Sequence, residues 1–403
     1  MKKTLILAKP GAGKSTRIAS EAREALHRGE SAFLTSFGKK NVTDLLSKVG
    51  NGLPLPKHLR ERLTCRTIHS LLYRDLHPDP GLYFPRILAK HAKRFGISFS
   101  YAFAKQLDHE HEHVNEDSIR EIDDAAYAEV QRLRASMRSW RETRYAGPMA
   151  DRVKFMWDIH TDAFARDFWD FTWLLEEGVR RGAAWSADYC AVDEINDLNA
   201  LQATIVGRLT GKRVDYVGDL DQAIYGFAGV DPQVIERLLP HDAVETMELS
   251  HRLTWPVIER AERCLSQASW RSPGRTKTEK TGGEYHKAQS IDNILLSLRK
   301  DINDDPVRAG KKYGDIYAIG RTNWLVSEMR KLAIEYGLNV ARTGEEDMLK
   351  GFCDIVKNPG SRMQFNMITA LTAPFLKAAE YYRPGAKAAL KRLQENDPEG
   401  SMP

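Results

Sequence analysis

The chain has 403 residues, of which 42% are hydrophobic and 29% charged, and its formal net charge is +5. This composition is typical of a globular protein of two or three domains, with no apolar stretch long enough to span a bilayer and no signal-peptide core. The four cysteines are widely scattered and form no CxxC pair, so neither a zinc ribbon nor a disulfide framework is indicated. We therefore expect a cytoplasmic protein with no membrane partner, whose mild basicity permits nucleic-acid binding without requiring it.

The first predicted strand, Thr4 to Ala8, leads into a glycine turn that ends in Gly-Lys-Ser and is followed by a predicted helix to His27. A turn of this kind between a strand and a helix indicates a P-loop, although Ala8 stands where most such loops have glycine. Its backbone N–H groups converge on phosphate oxygens, Lys14 reaches the β- and γ-phosphates, and Ser15 ligates Mg²⁺. The residues predicted to bind the nucleotide are Ala8, Lys9, Pro10, Gly11, Ala12, Gly13, Lys14, Ser15 and Thr16.

A second predicted strand, Ala32 to Thr35, completes a βαβ unit, and the α/β pattern extends to about residue 76. From 77 to 166 the sequence becomes helical and charged, which indicates an inserted helical subdomain. Two later apolar runs, Tyr189 to Val192 and Arg213 to Gly218, are typical of buried parallel strands. The sequence therefore predicts an α/β P-loop NTPase whose first domain is discontinuous.

Three other segments have weaker signals. Asp108 to His113 alternates histidine with acidic residues, as a metal site on a strand would, but its position between charged helices favours a solvated loop. Residues 268–284 are rich in Ser, Arg, Lys and Gly, which predicts a linker or exposed loop. A further α/β stretch contains a predicted strand at Ile316 to Ile319, a helix at Leu325 to Tyr336 and a helical tail.

Asp193 and Glu194 follow the apolar strand that ends at Val192. Hydrolysis of a γ-phosphate needs one carboxylate that holds Mg²⁺ and another that orients or deprotonates the attacking water. Adjacent carboxylates at a strand terminus can divide these tasks, with Asp193 facing the metal and Glu194 facing the water. An Asp-Glu pair is common on protein surfaces, but after a buried strand in a chain with a P-loop it predicts the catalytic part of the site.

These motifs together resemble those of the UvrD/Rep/PcrA group of superfamily 1 helicases. The segments that carry the resemblance are residues 8–15, 33–40, 67–71, 192–199, 218–229 and 249–252, with 318–323 and 336–344 later in the chain. Residues 218–229, Gly-Asp-Leu-Asp-Gln-Ala-Ile-Tyr-Gly-Phe-Ala-Gly, are the most specific of them. The resemblance implies a RecA-like parallel sheet in a first domain (1–76 and 167–252), the inserted helical subdomain (77–166) and a partial second RecA-like domain with a helical tail (253–403).

The resemblance also implies roles at the nucleotide. Gln222 would sense the γ-phosphate from the end of its strand. Arg252 would act as an arginine finger that neutralises charge on the transferring phosphoryl group. His251 stands where the family usually has a tyrosine stacked on adenine, and an imidazole ring can stack as well. With Lys14 and Glu194, Gln222 and Arg252 complete the predicted catalytic set.

On the nucleic-acid side, the resemblance implies contacts from aromatic rings and from a polar motif. Aromatic rings suit this task because every base has a π-face on which it can stack. Phe37, Tyr225 and Phe227 align with family aromatics that form base pockets. Thr67, His69 and Ser70 align with a motif that contacts the nucleic-acid backbone.

The sequence departs from the family pattern in three places. Only seven residues precede Ala8, which leaves no room for the family's upstream glutamine motif for adenine. Asn196 replaces a glutamine in the Asp-Glu box, and Ala228 replaces an arginine. The late threonine-histidine-lysine-glycine-leucine-glutamate block and the late arginine-bearing helix are not found, so the second RecA-like domain is expected to be incomplete.

The resemblance implies an ATP-dependent DNA helicase or translocase of DNA replication or repair, with ATP and Mg²⁺ as cofactors. Its partner would be single-stranded DNA or a duplex with a single-stranded tail. One alternative is an ATP-gated module that only binds single-stranded DNA, and another is a helicase subunit completed by a second protein. A compact viral helicase in a host cytoplasm fits the sequence too, whereas a small-molecule kinase would share the P-loop but not residues 218–229.

Overall fold

The computed structural model describes residues 2–76, 96–100, 121–159, 170–268, 270–282, 290–304, 323–336 and 338. The chain forms two compact units, Met1–Lys287 and Ala288–Pro403. The predicted segment Asp108 to His113, the predicted strand Ile316 to Ile319 and the predicted helical tail lie outside the described residues. The predicted domain boundary at residue 252 stays a prediction.

The first unit is built on a six-stranded sheet in which every neighbouring pair of strands is parallel. Its strands are β1 (Lys2–Ala8), β2 (Ala32–Ser36), β3 (Leu63–Cys65), β4 (Tyr189–Asp193), β5 (Arg213–Gly218) and β6 (Ala243–Met247). Their order across the sheet is β3-β2-β4-β5-β1-β6. The predicted α/β class with a parallel RecA-like sheet is confirmed.

Two hydrophobic cores cover the faces of this sheet. Leu5 and Leu7 of β1 belong to one core and Ile6 to the other, because successive side chains of a strand point to opposite faces. The described residues of the first unit contain the helices α1 (Lys14–His27), α2 (Lys39–Val49), α3 (Lys57–Arg60), α4 (Ile68–Leu76), α5 (Ile122–Ala135), α6 (Pro148–Ile159), α7 (Phe171–Arg180), α8 (Ala200–Val206), α9 (Pro232–Leu238) and α10 (Trp255–Leu265). Helices α1 and α2 pack on one face, and α4, α7, α8 and α9 on the other.

Helices α5 and α6 have a small core of their own. Val130 and Leu133 of α5 pack against Val153 and Met156 of α6, and all four side chains are fully buried. The buried Arg134 ties α5 to the rest of the unit through ion pairs with Asp170 at 2.7 Å and Glu176 at 2.6 Å.

Residues 270–278, which we call the strap, lie within the segment that the sequence predicts to be a linker or exposed loop. The backbone N–H of Ser272 donates to Asp221 Oδ1 at 2.8 Å, and Ser272 is buried. Strand β7 (Leu249–Ser250) pairs in parallel with β8 (Lys277–Thr278) at the other end of the strap. Pro273, Arg275 and Lys277 are exposed, as in the predicted exposed loop, but Ser272 and β8 anchor the strap to the rest of the first unit.

The described part of the second unit consists mainly of α11 (Ile291–Asp304) and α12 (Asn323–Glu335). The hydroxyl of Tyr336, just after α12, donates to Asp292 Oδ1 at 3.1 Å. Helix α12 agrees with the helix predicted from Leu325 to Tyr336. Across the described residues of both units, no helix combines the length and the apolarity needed to cross a membrane.

Candidate nucleotide-binding site

The P-loop lies between the end of β1 at Ala8 and the start of α1 at Lys14. Gly13, the residue before α1, has a left-handed backbone conformation with φ = 82°, and Gly11 has φ = 76°. A Cβ atom on Gly11 would lie 2.7 Å from Ser250 Oγ and 2.8 Å from Arg252 Cβ, so only glycine fits there. The 14-residue helix α1 therefore starts at a tight turn, where its N-terminal N–H groups can bind an anion.

The structure brings the P-loop and the Asp-Glu pair together, as the sequence predicts. Lys14 Nζ lies 2.6 Å from Glu194 Oε2, although the two residues are 180 positions apart. Ser15 Oγ donates to Asp193 Oδ2 at 2.9 Å. These contacts form because β1, β5 and β4 are neighbours in the parallel sheet, so the carboxyl ends of β1 and β4 share one edge.

Glu194 has a backbone conformation that non-glycine residues seldom adopt, with φ = 55° and ψ = 50°. The chain changes direction there, between the end of β4 and a short 3₁₀ turn at Ile195–Asp197. The turn separates the two carboxylates, so that Asp193 meets Ser15 and Glu194 meets Lys14. Strain of this kind often marks functional sites.

The carboxylates of Asp193, Glu194 and Asp197 carry more negative charge than Lys14 alone can balance. Burial raises the pKa of Asp193 to about 6, the charge of Glu194 adds to the rise, and Lys14 and Ser15 oppose it. Burial and Glu194 likewise raise the pKa of Asp197 to about 6. Excess negative charge beside a hydroxyl is an environment that suits a divalent cation.

The donor set at the end of α1 fits Mg²⁺. Ser15 Oγ and the Asp193 carboxylate are oxygen donors, which Mg²⁺ prefers, and they already lie within 2.9 Å of each other. Within the described ranges, no three His, Cys, Asp or Glu side chains are placed to form a metal cage. Mg²⁺ in nucleotide sites takes one or two protein ligands and the rest from phosphates and water, so no such cage is needed.

The remaining P-loop side chains divide between the sheet and the turn. Ala8 is buried at the end of β1, Ala12 donates its N–H to the Lys9 carbonyl at 3.0 Å, and Thr16 is exposed in the first turn of α1. Pro10 lies in the turn between β1 and α1. The Lys9 side chain is buried, with Nζ 2.7 Å from Asp221 Oδ2, a contact that the sequence analysis did not anticipate.

Three further residues predicted to act on the nucleotide, Gln222, His251 and Arg252, follow strands β5 and β7. Gln222 is exposed, and its Nε2 donates to Asp219 Oδ2 at 2.7 Å in the turn that follows β5. His251 and Arg252 are exposed just after β7. The backbone N–H of His251 donates to the Gly11 carbonyl at 3.0 Å, which holds residues 251–252 against the P-loop.

The aromatic residues predicted to contact nucleic acid form one cluster. The ring centroids of Phe37 and Tyr225 lie 5.7 Å apart, and those of Tyr225 and Phe227 lie 6.0 Å apart. Phe37 follows β2, and Tyr225 and Phe227 follow β5, so the cluster combines two loops. The neighbouring Ile224 is 73% exposed.

The polar motif predicted to contact a nucleic-acid backbone divides between surface and interior. Thr67 Oγ1 accepts from the Ser70 N–H at 3.3 Å at the start of α4, and both residues are partly exposed. The His69 side chain is buried instead, with its ring edge-on to Phe171 at 5.3 Å. Helix α4 buries His69 together with Ile68 and Leu71, so the structure places this imidazole in the interior.

The comparisons with known proteins identify the family of the chain. Residues 1–241 match the UvrD/REP helicase N-terminal domain. The chain belongs to this family. The resemblance inferred from the motifs is therefore confirmed.

Individual relatives match a shorter part of the chain. Over 143 residues it is 33% identical to the ATP-dependent DNA helicase PcrA of Staphylococcus epidermidis, and over 144 residues 34% identical to that of Staphylococcus aureus. Each match covers 34% of this chain and 20% of the relative. The chain thus spans about a fifth of the length of the curated relatives it matches.

Proposed function

We propose that this UvrD-family chain binds Mg·ATP, hydrolyses it and couples hydrolysis to movement on single-stranded DNA, as a DNA helicase or translocase of replication or repair. The observation that carries this proposal is the pair of contacts between the P-loop and the end of β4, Lys14 to Glu194 and Ser15 to Asp193. A phosphate-binding turn, two oxygen donors for a cation and a carboxylate base meet there. Phosphoryl transfer to water needs these parts in this proximity.

Each group then has a specific task. Ser15 and Asp193 would hold Mg²⁺, and the ion would neutralise phosphate charge. Lys14 exchanges its ion pair with Glu194 for phosphate oxygens when ATP binds. This exchange frees the Glu194 carboxylate to orient and deprotonate the attacking water. We assign to Gln222 and Arg252, both exposed, the response to the γ-phosphate.

The aromatic cluster supports the nucleic-acid part of the proposal. Phe37, Tyr225 and Phe227 come from two loops at the carboxyl edge of the same sheet that positions the nucleotide site. Tyr225 lies three residues after Gln222. A movement of Gln222 in response to the γ-phosphate would therefore be transmitted to the Tyr225 ring through only a short loop. Stacked bases on these rings would give a grip that tolerates any sequence.

The first test measures ATP binding and hydrolysis with and without single-stranded DNA. We expect Lys14→Ala to weaken nucleotide binding by about tenfold or more, since it removes a charge-assisted phosphate contact. Glu194→Gln should retain binding and lower turnover by roughly 10² to 10⁴, the usual contribution of a general base. Exposed residues of the same types, changed in Lys48→Ala and Glu61→Gln, serve as controls and should leave both quantities unchanged. Hydrolysis that survives Glu194→Gln would refute the assignment.

The second test measures the affinity for a labelled oligothymidylate. Tyr225→Ala should weaken binding by about 5-fold to 100-fold, which corresponds to the roughly 1–3 kcal/mol of one stacked base. Ile224→Ala removes an exposed apolar side chain from the same loop and should have little effect. Equal losses in both variants would contradict stacking on Tyr225.

The same measurements separate the helicase from the alternatives. DNA-stimulated hydrolysis with strand displacement by this chain alone supports an independent motor. DNA binding that changes with ATP but does not stimulate turnover would favour the ATP-gated binding module. Displacement that requires a second protein would favour the helicase subunit.

A further inference from the structure

The Lys9 side chain lies in a buried polar network that the proposed chemistry does not use. Lys9 is 3% exposed, and its Nζ donates to Asp221 Oδ2 at 2.7 Å and to Ser272 Oγ at 2.8 Å. Asp219 Oδ1 is a further 3.9 Å contact of the same ammonium group. Lysine has three donors, and here they face two carboxylates and a hydroxyl.

The two carboxylates belong to the turn that carries Gln222. Asp219 Oδ2 accepts from Gln222 Nε2 at 2.7 Å, and Asp219 lies two residues before Asp221. Although burial raises the pKa of Asp221, the hydrogen bonds from Lys9 and from the Ser272 N–H hold it below its usual range. The ammonium of Lys9 therefore fixes the turn in the charged form of Asp221.

The network also holds the strap. Asp221 accepts from the Ser272 N–H at 2.8 Å and from Arg271 Nη2 at 3.3 Å. Arg271 Nη1 also donates to Glu262 Oε2 of α10 at 2.8 Å. One buried carboxylate thus joins the P-loop, the Gln222 turn and the first residues of the strap.

The far end of the strap is linked to a second part of the P-loop through residues 249–253. Thr278 Oγ1 donates to the Leu253 carbonyl at 2.6 Å, and β8 pairs with β7. The segment that includes Ser250 and Arg252 in turn packs against Gly11. The strap is therefore attached near Lys9 at one end and near Gly11, through residues 249–253, at the other.

We propose that Lys9 is a positioning residue, which pins the Gln222 turn and the strap to the P-loop and is not itself a ligand of the nucleotide phosphates. Its ammonium group binds both Asp221 of the Gln222 turn and Ser272 of the strap, so it adds to the other contacts that hold the turn and the strap in place. Without it, Asp221 is a buried carboxylate with fewer partners, which favours local opening of the turn and the strap. The expected change in ATP turnover rests on the proposed function, whereas the expected change in the attachment of the strap does not.

The test uses the full chain and the variant Lys9→Met, which keeps an unbranched side chain, one atom shorter, and removes its charge. Trypsin cuts after arginine and lysine, so cleavage within the strap, after Arg271, Arg275 and Lys277, reports its attachment. We expect strap cleavage to be about tenfold faster in Lys9→Met, because cleavage follows the population of the open form. The dissociation constant of a fluorescent ATP analogue should change by less than about threefold, while turnover falls by about tenfold or more, the pattern of lost positioning without lost binding.

Lys48→Met, which changes an exposed lysine, is the matched control and should behave as the wild type in all three assays. Adding Asp221→Asn to Lys9→Met removes the unpaired charge and should restore much of the strap protection. If Lys9→Met does not fold, Ser272→Ala removes one of the same hydrogen bonds and should give a smaller increase in strap cleavage.

Unchanged strap cleavage in Lys9→Met, or in Ser272→Ala where that variant is the one tested, would overturn the proposal. Nucleotide affinity lost by about tenfold or more with unchanged cleavage would instead assign Lys9 to the phosphates. A wild-type chain that neither binds nor hydrolyses ATP would refute the proposed function. The comparison of strap cleavage between wild type and Lys9→Met would still decide whether Lys9 is a positioning residue.

Discussion

At the scale of single residues, Gly11 satisfies two constraints at once. Its φ of 76° favours glycine, and its Cα lies so close to the segment after β7 that an added Cβ would be 2.7 Å from Ser250 Oγ. Gly52 has nearly the same φ, 79°, with no atom within 4 Å of an added Cβ. A comparison of Gly11 with Gly52 therefore distinguishes the effect of backbone strain from the effect of close packing at the P-loop.

We expect Gly11→Ala to displace Ser250 and Arg252 and to lower ATP turnover by about tenfold or more, because a misplaced charge-stabilising group costs that much in rate. Gly52→Ala should lower the free energy of unfolding by about 1 kcal/mol, the cost of a left-handed conformation, without affecting turnover. Urea unfolding and steady-state hydrolysis measure the two effects. Equal loss of turnover in both variants would show that the close approach has no functional role.

The contrast between Lys14 and Lys9 shows what sequence reasoning can reach at this scale. Lys14 is predictable because its role depends on a few neighbouring residues that form a recognisable pattern. Lys9 belongs to the same motif, but its side-chain partners Asp221 and Ser272 are 212 and 263 positions away. No local sequence pattern indicates contacts between residues so far apart in the chain. His69 shows the converse, since its motif predicts a surface role whereas its position on α4 between Ile68 and Leu71 buries it.

At the scale of elements, a buried carboxylate joins α5 to α6. Asp123 accepts two hydrogen bonds from Arg152, from Nε at 2.6 Å and from Nη2 at 2.9 Å, and a third from the Ser98 N–H at 2.6 Å. Although burial raises the pKa of Asp123, the hydrogen bonds from Arg152 and Ser98 hold it below its usual range. The ionised carboxylate therefore stabilises the packing of these helices.

We expect Asp123→Asn to lower the free energy of unfolding at pH 7 by about 2 kcal/mol, the scale of hydrogen bonds to a charged group. Because the pKa of Asp123 is lower in the folded than in the unfolded chain, its contribution is present above the unfolded value of about 4 and is lost as the pH falls below it. The difference between variant and wild type should therefore shrink below about pH 4. Urea unfolding at several pH values measures this difference.

The control for Asp123 is the exposed carboxylate of Asp44 on α2, where Asp44→Asn should change stability by no more than about 0.5 kcal/mol. A difference for Asp123→Asn that stays constant down to pH 3 would contradict the role of the ionised form.

The predictability of the elements follows from their burial. Strands β1, β2, β4 and β5 are almost entirely buried, and the sequence predicts all four. Strands β3 and β6 escape prediction because β3 has three residues and β6 alternates partly buried with exposed positions at the edge of the sheet. The contacts that anchor the strap escape prediction for a different reason. The polar side chains of the strap suggest solvent, and only the tertiary structure supplies Asp221, Glu248 and the Leu253 carbonyl as partners.

At the scale of the whole molecule, the strap bears on where the first domain ends. Motifs suggest a boundary at residue 252, after the last residue of the predicted nucleotide site. The first compact unit continues to Lys287 and includes α10 and the strap. Motif boundaries mark where recognisable chemistry stops, whereas a folding unit ends only where buried contacts stop.

Two fragments test this difference. Fragment 1–287 contains Lys14, Ser15, Asp193 and Glu194 together with the strap, so it should unfold cooperatively and bind Mg·ATP. Fragment 1–252 keeps these site residues but lacks Ser272 and Arg271, which donate hydrogen bonds to Asp221. It also lacks β8, the strand that pairs with β7. We expect its free energy of unfolding to be lower by about 3 kcal/mol, since at least two buried hydrogen bonds to a charged group are lost. Urea unfolding and titration with a fluorescent ATP analogue would measure both properties, and equal stability of the two fragments would place the end of the folding unit at residue 252.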